Sequence, residues 1–135
     1  MTGGTRAAVD RFLAAVESGD ADAVAVRFTE RARYANVPHP PAVGRDAIRA
    51  MFAPILGRAE RVRWDVVSSA YDGDRAWLER VDRFWIDGRE YAIECNGVYA
   101  VDPTSGLLDE VRDYVDLATW RQRLGDVLTR SPEPR

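Results

Sequence analysis

From residue 60 onward apolar residues recur at every second position, whereas before it they recur at helical spacing, and that change of period limits what the chain can fold into. "RVRWDVVSSAY", "RAWLERVDRFWI", "REYAIECNGVYAV" and "LLDEVRDYVD" supply four strand candidates rich in β-branched and aromatic residues. "DGD" and "DG" punctuate the first two joins as hairpin turns do, and "DPTSG" makes a slightly longer third. Joins this short connect antiparallel neighbours.

Upstream, Val9, Phe12, Leu13 and Val16 predict an amphipathic helix over 4–18, ended by "SGD". Asp20 then caps a second short helix running through Phe28, with Ala21, Val24, Ala25 and Phe28 on one side. "RARYANV" reads as a short strand, stopped by prolines 38, 40 and 41. Gly44 precedes a third helix carrying Ile48, Met51, Phe52 and Ile55 at helical spacing. A last helix over "LATWRQRLGDVL" puts Leu117, Trp120 and Leu124 on one face, and a frayed tail follows over about 129–135. Helices followed by consecutive strands predict an α+β domain. Its curved, mixed or antiparallel sheet forms a cone around the N-terminal helices, with a closed end and a deep internal pocket. The 135 residues suit a single domain over 1–135, without internal repeats.

Charges interrupt two of the apolar rows. In "WLERVDRFW", Leu78, Arg80, Asp82 and Phe84 share one strand face. In "EVRDYVD", Val111, Asp113 and Val115 do the same, and in "RARYANV" Ala32, Tyr34 and Asn36 share a face. Two readings fit. In one, Arg80 and Asp82 form a solvated pair outside the sheet, Asp113 is a strand-edge charge, Tyr34 is a core residue and Asn36 is turn chemistry. In the other, a curled sheet brings all five into one apolar cavity. Two carboxylates close together in low dielectric resist joint ionisation, so one retains a proton while the other serves as a base. An arginine between them holds both by directional hydrogen bonds. Tyr34, Asn36 and a carboxylate together offer enough contacts to hold a water.

Composition removes other chemistries. All 19 cationic side chains are Arg, so no lysine is present to form a Schiff base or to serve in a P-loop. His39 is the only histidine and Cys95 the only cysteine, too few ligands for a Cys/His zinc site, and no metal or cofactor is predicted. His39 stands among prolines, expected in an exposed loop without a nucleophile elbow, and Cys95 is expected to pack as a small apolar residue. A net charge of −3 with no basic stripe argues against nucleic acid or an acidic membrane as partner. No segment approaches the ~20 apolar residues of a membrane span or signal length, so a cytoplasmic protein is expected.

"RYANVPHPPAVGRDAI", "ERVDRFW" and "VRDYVDL" resemble three signature stretches of the limonene-1,2-epoxide hydrolase family, which has the nuclear-transport-factor-like cone fold. The resemblance spans nearly the whole chain. It implies a catalytic set of Asp82, Arg80, Asp113, Tyr34 and Asn36, and a one-step opening of an epoxide by water to a vicinal diol. Asp113 would be the general base and Asp82 the general acid, bridged by Arg80, with Tyr34 and Asn36 holding the water and no cofactor or metal. The substrate would be a small hydrophobic epoxide. Phe84, Ile93, Cys95 and Val115, with Met51, Phe52 and Ile55 of the third helix, are the expected lining. A homodimer is expected from the family and from four tryptophans available for packing. Two alternatives stay open: an epoxide-opening cyclase or isomerase on the same fold, and a non-catalytic small-molecule-binding module.

Overall fold

The computed structural model describes residues 2–129. Helices α1 (Thr2–Glu17) and α2 (Ala21–Ala25) lead into β1 (Phe28–Val37), a two-residue β2 (Ala42–Val43) and α3 (Arg45–Arg58). Four long strands follow: β3 (Arg61–Asp72), β4 (Arg75–Ile86), β5 (Arg89–Asp102) and β6 (Leu107–Val115). Helix α4 (Leu117–Trp120), a π-helical stretch (Arg121–Gly125) and α5 (Asp126–Thr129) end the described chain.

The fold is α+β, with one curved and unclosed six-stranded sheet in the order β2-β1-β6-β5-β4-β3. β3 to β6 form an antiparallel meander. The β4–β5 hairpin has a two-residue loop, Asp87-Gly88, with φ of 52° and 77° between the paired Ile86 and Arg89. Both central residues at positive φ match the right-handed twist of the flanking strands, which is why an Asp-Gly pair stands there. β1 runs parallel to β6, so the first long strand lies beside the last. Register slips between Val66 and Ser68 and between Ala100 and Val101 add a residue to one strand of each pair and bend the sheet.

The concave face is filled by aromatic rings. Phe12, on the buried stripe of α1 with Val9 and Val16, contacts Phe28, Tyr34, Phe52, Trp64 and Tyr99 at centroid distances of 5.5–6.3 Å. These rings pack edge-on or tilted, the geometries favoured by their quadrupoles.

Three sequence expectations need correction. α2 stops at Ala25, and Phe28 opens β1 instead of closing the helix. The sheet takes the chain there: Leu108 N–H donates to Arg27 O at 2.9 Å, and Phe28 pairs with Leu108. β2 was not anticipated. After prolines 40 and 41 the chain folds back on β1, pairing Ala42 with Tyr34 and Val43 with Arg33, and Gly44 N–H donates to Ala32 O. The C-terminal segment is not one regular helix. Its π-helical turn alters the phase, so Leu124 and Val127 are buried in the core while Leu117 and Trp120 line a cavity. Of the expected tail, Thr129 ends α5, and 130–135 lie outside the described residues. Among the described residues no helix is long and apolar enough to cross a membrane.

Candidate active site

Strand alternation turns Leu78, Arg80, Asp82 and Phe84 of β4 inward, and Arg80 is 1% exposed and Asp82 5%. The exterior ion pair is thereby excluded. Asp113 comes inward from β6 at 3% exposure, and Tyr34 from β1 at 1%. β1 and β6 are parallel neighbours with Asn36 opposite Asp113, so Asn36 stands beside that carboxylate, half-buried.

Arg80 ties the cluster together. Its Nε donates to Asp82 Oδ1 at 3.0 Å and its Nη2 to Asp82 Oδ2 at 2.8 Å, a bidentate pair. Nη1 donates to Asp113 Oδ1 at 3.0 Å and Nη2 to Asp113 Oδ2 at 3.2 Å. Nη1 also donates to Tyr99 Oη, Nη2 lies 3.2 Å from Cys95 Sγ, and the guanidinium carbon sits 4.2 Å from the Trp64 ring centroid. Burial works to lower the pKa of Arg80, but the attraction of Asp113 and Asp82 outweighs it and holds the pKa well above the ordinary value.

The two carboxylates are not equivalent. Asp113 accepts from Tyr34 Oη at 2.5 Å as well as from two Arg80 nitrogens. Burial pushes the pKa of Asp82 up to about 6 against the opposing pull of Arg80, with a smaller push from Asp113. Asp82 therefore retains a proton at mildly acidic pH. Burial, with the nearby Asp113, raises the phenol of Tyr34 far above its usual range, so it stays a donor. Burial also keeps Cys95 a thiol and Tyr99 a neutral phenol.

Asp82 and Asp113 face a cavity of about 320 Å³. Met51, Phe52, Ile55, Phe84, Ile93, Cys95 and Val115, all expected as lining, line it, together with Tyr34 and Asn36. Arg80 does not reach the cavity surface; it lies behind the two carboxylates. Asn36 Nδ2 points to Met51 Sδ at 3.6 Å. Trp64, Leu117, Trp120 and Arg121, which carry no periodic signal toward the site, and His39, expected in an exposed loop, all line the cavity. His39 is indeed exposed, at the mouth. Among the described residues no group of three His, Cys, Asp or Glu side chains comes together to hold a metal ion.

Gly97 and Tyr99 were missed as well, although one signal pointed to them. Cys95, Gly97 and Tyr99 alternate along β5, and a glycine inside a strand marks a close approach. β5 separates β4 from β6, with Gly97 opposite both Leu78 and Asp113. A Cβ at Gly97 would lie 2.7 Å from Arg80 Nη1, 2.7 Å from Tyr99 Oη and 2.9 Å from Asp113 Oδ1. The missing side chain is the passage by which Arg80 reaches across β5 to Asp113.

A family model described as a SnoaL-like domain matches residues 9–123 of the chain. Among solved structures, an LEH-like epoxide hydrolase from M. tuberculosis superposes with a TM-score of 0.76 at 23% identity, over 96% of this chain and 96% of that one. A hypothetical protein from Catenulispora acidiphila, described as having a ketosteroid isomerase-like fold and solved in complex with trimethylamine, gives a TM-score of 0.74 at 19% identity, over 93% and 97%. At these identities the likeness establishes the fold, the nuclear-transport-factor-like cone.

Proposed function

The chain belongs to the SnoaL-like domain family, and on that premise we propose that it is an epoxide hydrolase that adds water to a small hydrophobic epoxide in one step. The observation that carries this reading is the buried Arg80 bound to both Asp82 and Asp113 at the wall of an apolar cavity. An isomerase that moves a proton beside a carbonyl has no use for a second carboxylate fixed to the first.

Asp113, held by Tyr34 and Arg80, takes a proton from a water placed beside it and Asn36, as the water oxygen attacks one epoxide carbon. The C–O bond to that carbon breaks, and Asp82 gives its proton to the departing epoxide oxygen. The product is a vicinal diol, with Asp113 protonated and Asp82 ionised. Transfer of one proton from Asp113 to Asp82, by way of solvent, restores the starting state. Arg80 compensates the pair's charge throughout, so the cluster's net charge is the same before and after the step. General base and general acid each contribute about 10²–10⁴ in rate.

The test is turnover of an epoxide panel, including limonene oxide and cyclohexene oxide, in ¹⁸O-labelled water, with Asp113→Asn alongside. Labelled diol from the wild type and a loss of at least about 10² in kcat for the variant is the expected result. An unlabelled cyclic ether from an epoxide bearing a hydroxyl would instead identify a cyclase. A folded protein that binds diols and turns over nothing would be a binding module. The same reading carries a homodimer, for which Trp77, 40% exposed, and Tyr114, 46% exposed, are available on the outer face of the sheet. Analytical ultracentrifugation of the wild type and Trp77→Arg, expected to give dimer and monomer, tests it.

A further inference from the structure

Six of the cavity-lining side chains can carry charge, and they divide by depth. Asp82, Asp113, Cys95 and Tyr34 are buried, while His39 and Arg121 are exposed. The sheet explains why those two come out together. β1 and β6 are parallel and side by side, with Asn36 opposite Asp113. Their continuations therefore leave the same end of the sheet. One runs from Asn36 to His39, whose backbone N–H donates to Asn36 O at 2.8 Å. The other runs from the buried Asp113 past half-buried Val115, Leu117 and Trp120 to exposed Arg121, each of them on the cavity wall. Arg121 has no carboxylate partner among the described residues. Its neighbour Arg123 does, binding Glu94 at 3.1 Å and Ala92 O at 2.9 Å away from the cavity.

We propose that His39 and Arg121 form an anion subsite at the cavity mouth, so that the preferred substrates are epoxides bearing a carboxylate on an apolar chain. This rests on the epoxide-hydrolase reading and adds to it the substrate class. Charge fixes the orientation. Asp82 and Asp113 carry at least as much negative charge as Arg80 neutralises, so a carboxylate is not drawn to the depth. An arginine at the mouth offers it paired N–H donors. The neutral epoxide end then lies against the acid and base, with the apolar wall along the chain between.

The test uses short- and medium-chain ω-epoxy carboxylic acids, each paired with its methyl ester, and reads the ratio of kcat/KM for acid over ester. The wild type is expected to favour the acid by at least about tenfold at its best chain length, the worth of one charge-assisted hydrogen bond. Arg121→Gln should bring that ratio to about one and His39→Gln should lower it in part. Arg123→Gln removes an equal charge two positions along, outside the cavity, and should leave the ratio high. Equal rates for acid and ester in the wild type, or a preference that survives Arg121→Gln, would overturn the subsite. Binding of the matching saturated acids, followed by tryptophan fluorescence, separates the two readings. If neither acid nor ester is turned over but acid binding is lost in Arg121→Gln, the subsite stands and the hydrolase reading falls. If esters are turned over and acids are not preferred, the hydrolase stands and the subsite falls.

Discussion

Replacing Gly97 by alanine adds one methyl group to β5, and its position is set by the strand: 2.7 Å from Arg80 Nη1, 2.7 Å from Tyr99 Oη and 2.9 Å from Asp113 Oδ1. None of these atoms is the free end of a mobile side chain. Arg80 is held by both aspartates and Tyr99, and Asp113 by Tyr34. An ordinary strand glycine replaced by alanine gains roughly 0.5–1 kcal/mol from the lost freedom of the unfolded chain. Here overpacking of about 1–3 kcal/mol opposes that gain and exceeds it. In a chain of 135 residues each kcal/mol lowers Tm by roughly 3–6 °C, so a fall of several degrees is expected. Activity on the preferred epoxide should fall more than stability does. Moving the guanidinium by about 1 Å misplaces both carboxylates, worth about 10² in kcat. Gly57→Ala in α3 is the control: nothing lies within 4 Å of its Cβ, and the helix should gain about 1 kcal/mol. Differential scanning calorimetry and steady-state kinetics on the two variants decide the matter. A Gly97→Ala protein that melts at or above wild type with unchanged kcat/KM would refute the close approach and the bridging role of Arg80 together.

Asp82 should govern the pH dependence. Its carboxyl is raised from 3.8 to about 6, so between about pH 4 and pH 6 the folded state binds more protons than the unfolded one, and stability falls as pH rises through that window. The stability of Asp82→Asn relative to wild type should accordingly improve by up to about 3 kcal/mol across the same window, read from urea midpoints. In the proposed mechanism Asp82 acts as an acid and must be protonated, so wild-type kcat/KM should decline above pH about 6, and a profile flat to alkaline pH would remove Asp82 from that role. Tyr99→Phe leaves one buried Arg80 N–H without its acceptor; a loss of about 1–3 kcal/mol in urea denaturation is expected, together with a shifted pH profile.

The meander, the α+β class and the sharing of a strand face by Arg80 with Asp82 and by Tyr34 with Asn36 were legible because strand alternation is a local property; which way those faces turn was not, and only the family resemblance favoured the cavity. What depends on pairing was less so. Counting back from the turn after Asp72 sets Asp65 opposite Asp82; the bulge between Val66 and Ser68 slips the register by one and puts Trp64 there instead. That slip brings an aromatic face under Arg80, and nothing in the residue types announces it. Phe28 read as the end of a helix because its spacing from Val24 fits one, while the competing pull of β6 lies 80 residues along the chain, at Leu108. His39, Leu117, Trp120 and Arg121 belong to a loop and to the C-terminal segment, where no period of two assigns a face. Gly97 is the exception, since a glycine inside a strand of alternating buried residues itself signals a close approach.

Whether the charge cluster serves catalysis or holds the fold together can be decided by removing all of it. Burying Arg80 with Asp82 and Asp113 takes charge out of water, and attraction offsets that penalty only because Arg80 is bonded to both carboxylates. Loss of one member, as in Arg80→Met alone, strands two carboxylates and should cost about 3–5 kcal/mol. Replacing the whole set is a different perturbation. With Arg80→Met, Asp82→Leu, Asp113→Leu, Tyr34→Phe and Tyr99→Phe, the strong donors disappear with their acceptors, only the weakly bonding Cys95 thiol loses its partners, and no member of the ion cluster remains. The surrounding packing of Phe12, Phe28, Phe52 and Trp64 is apolar already. Such replacements are often neutral or stabilising, by about 1–4 kcal/mol. A cluster kept for chemistry therefore predicts a fivefold variant that melts at or above wild type and has no activity. A cluster kept for the fold predicts that the same variant loses cooperative unfolding in urea. The second outcome would mean that the acid and base occupy this cavity as structural ions, and the hydrolase would have to be sought without them.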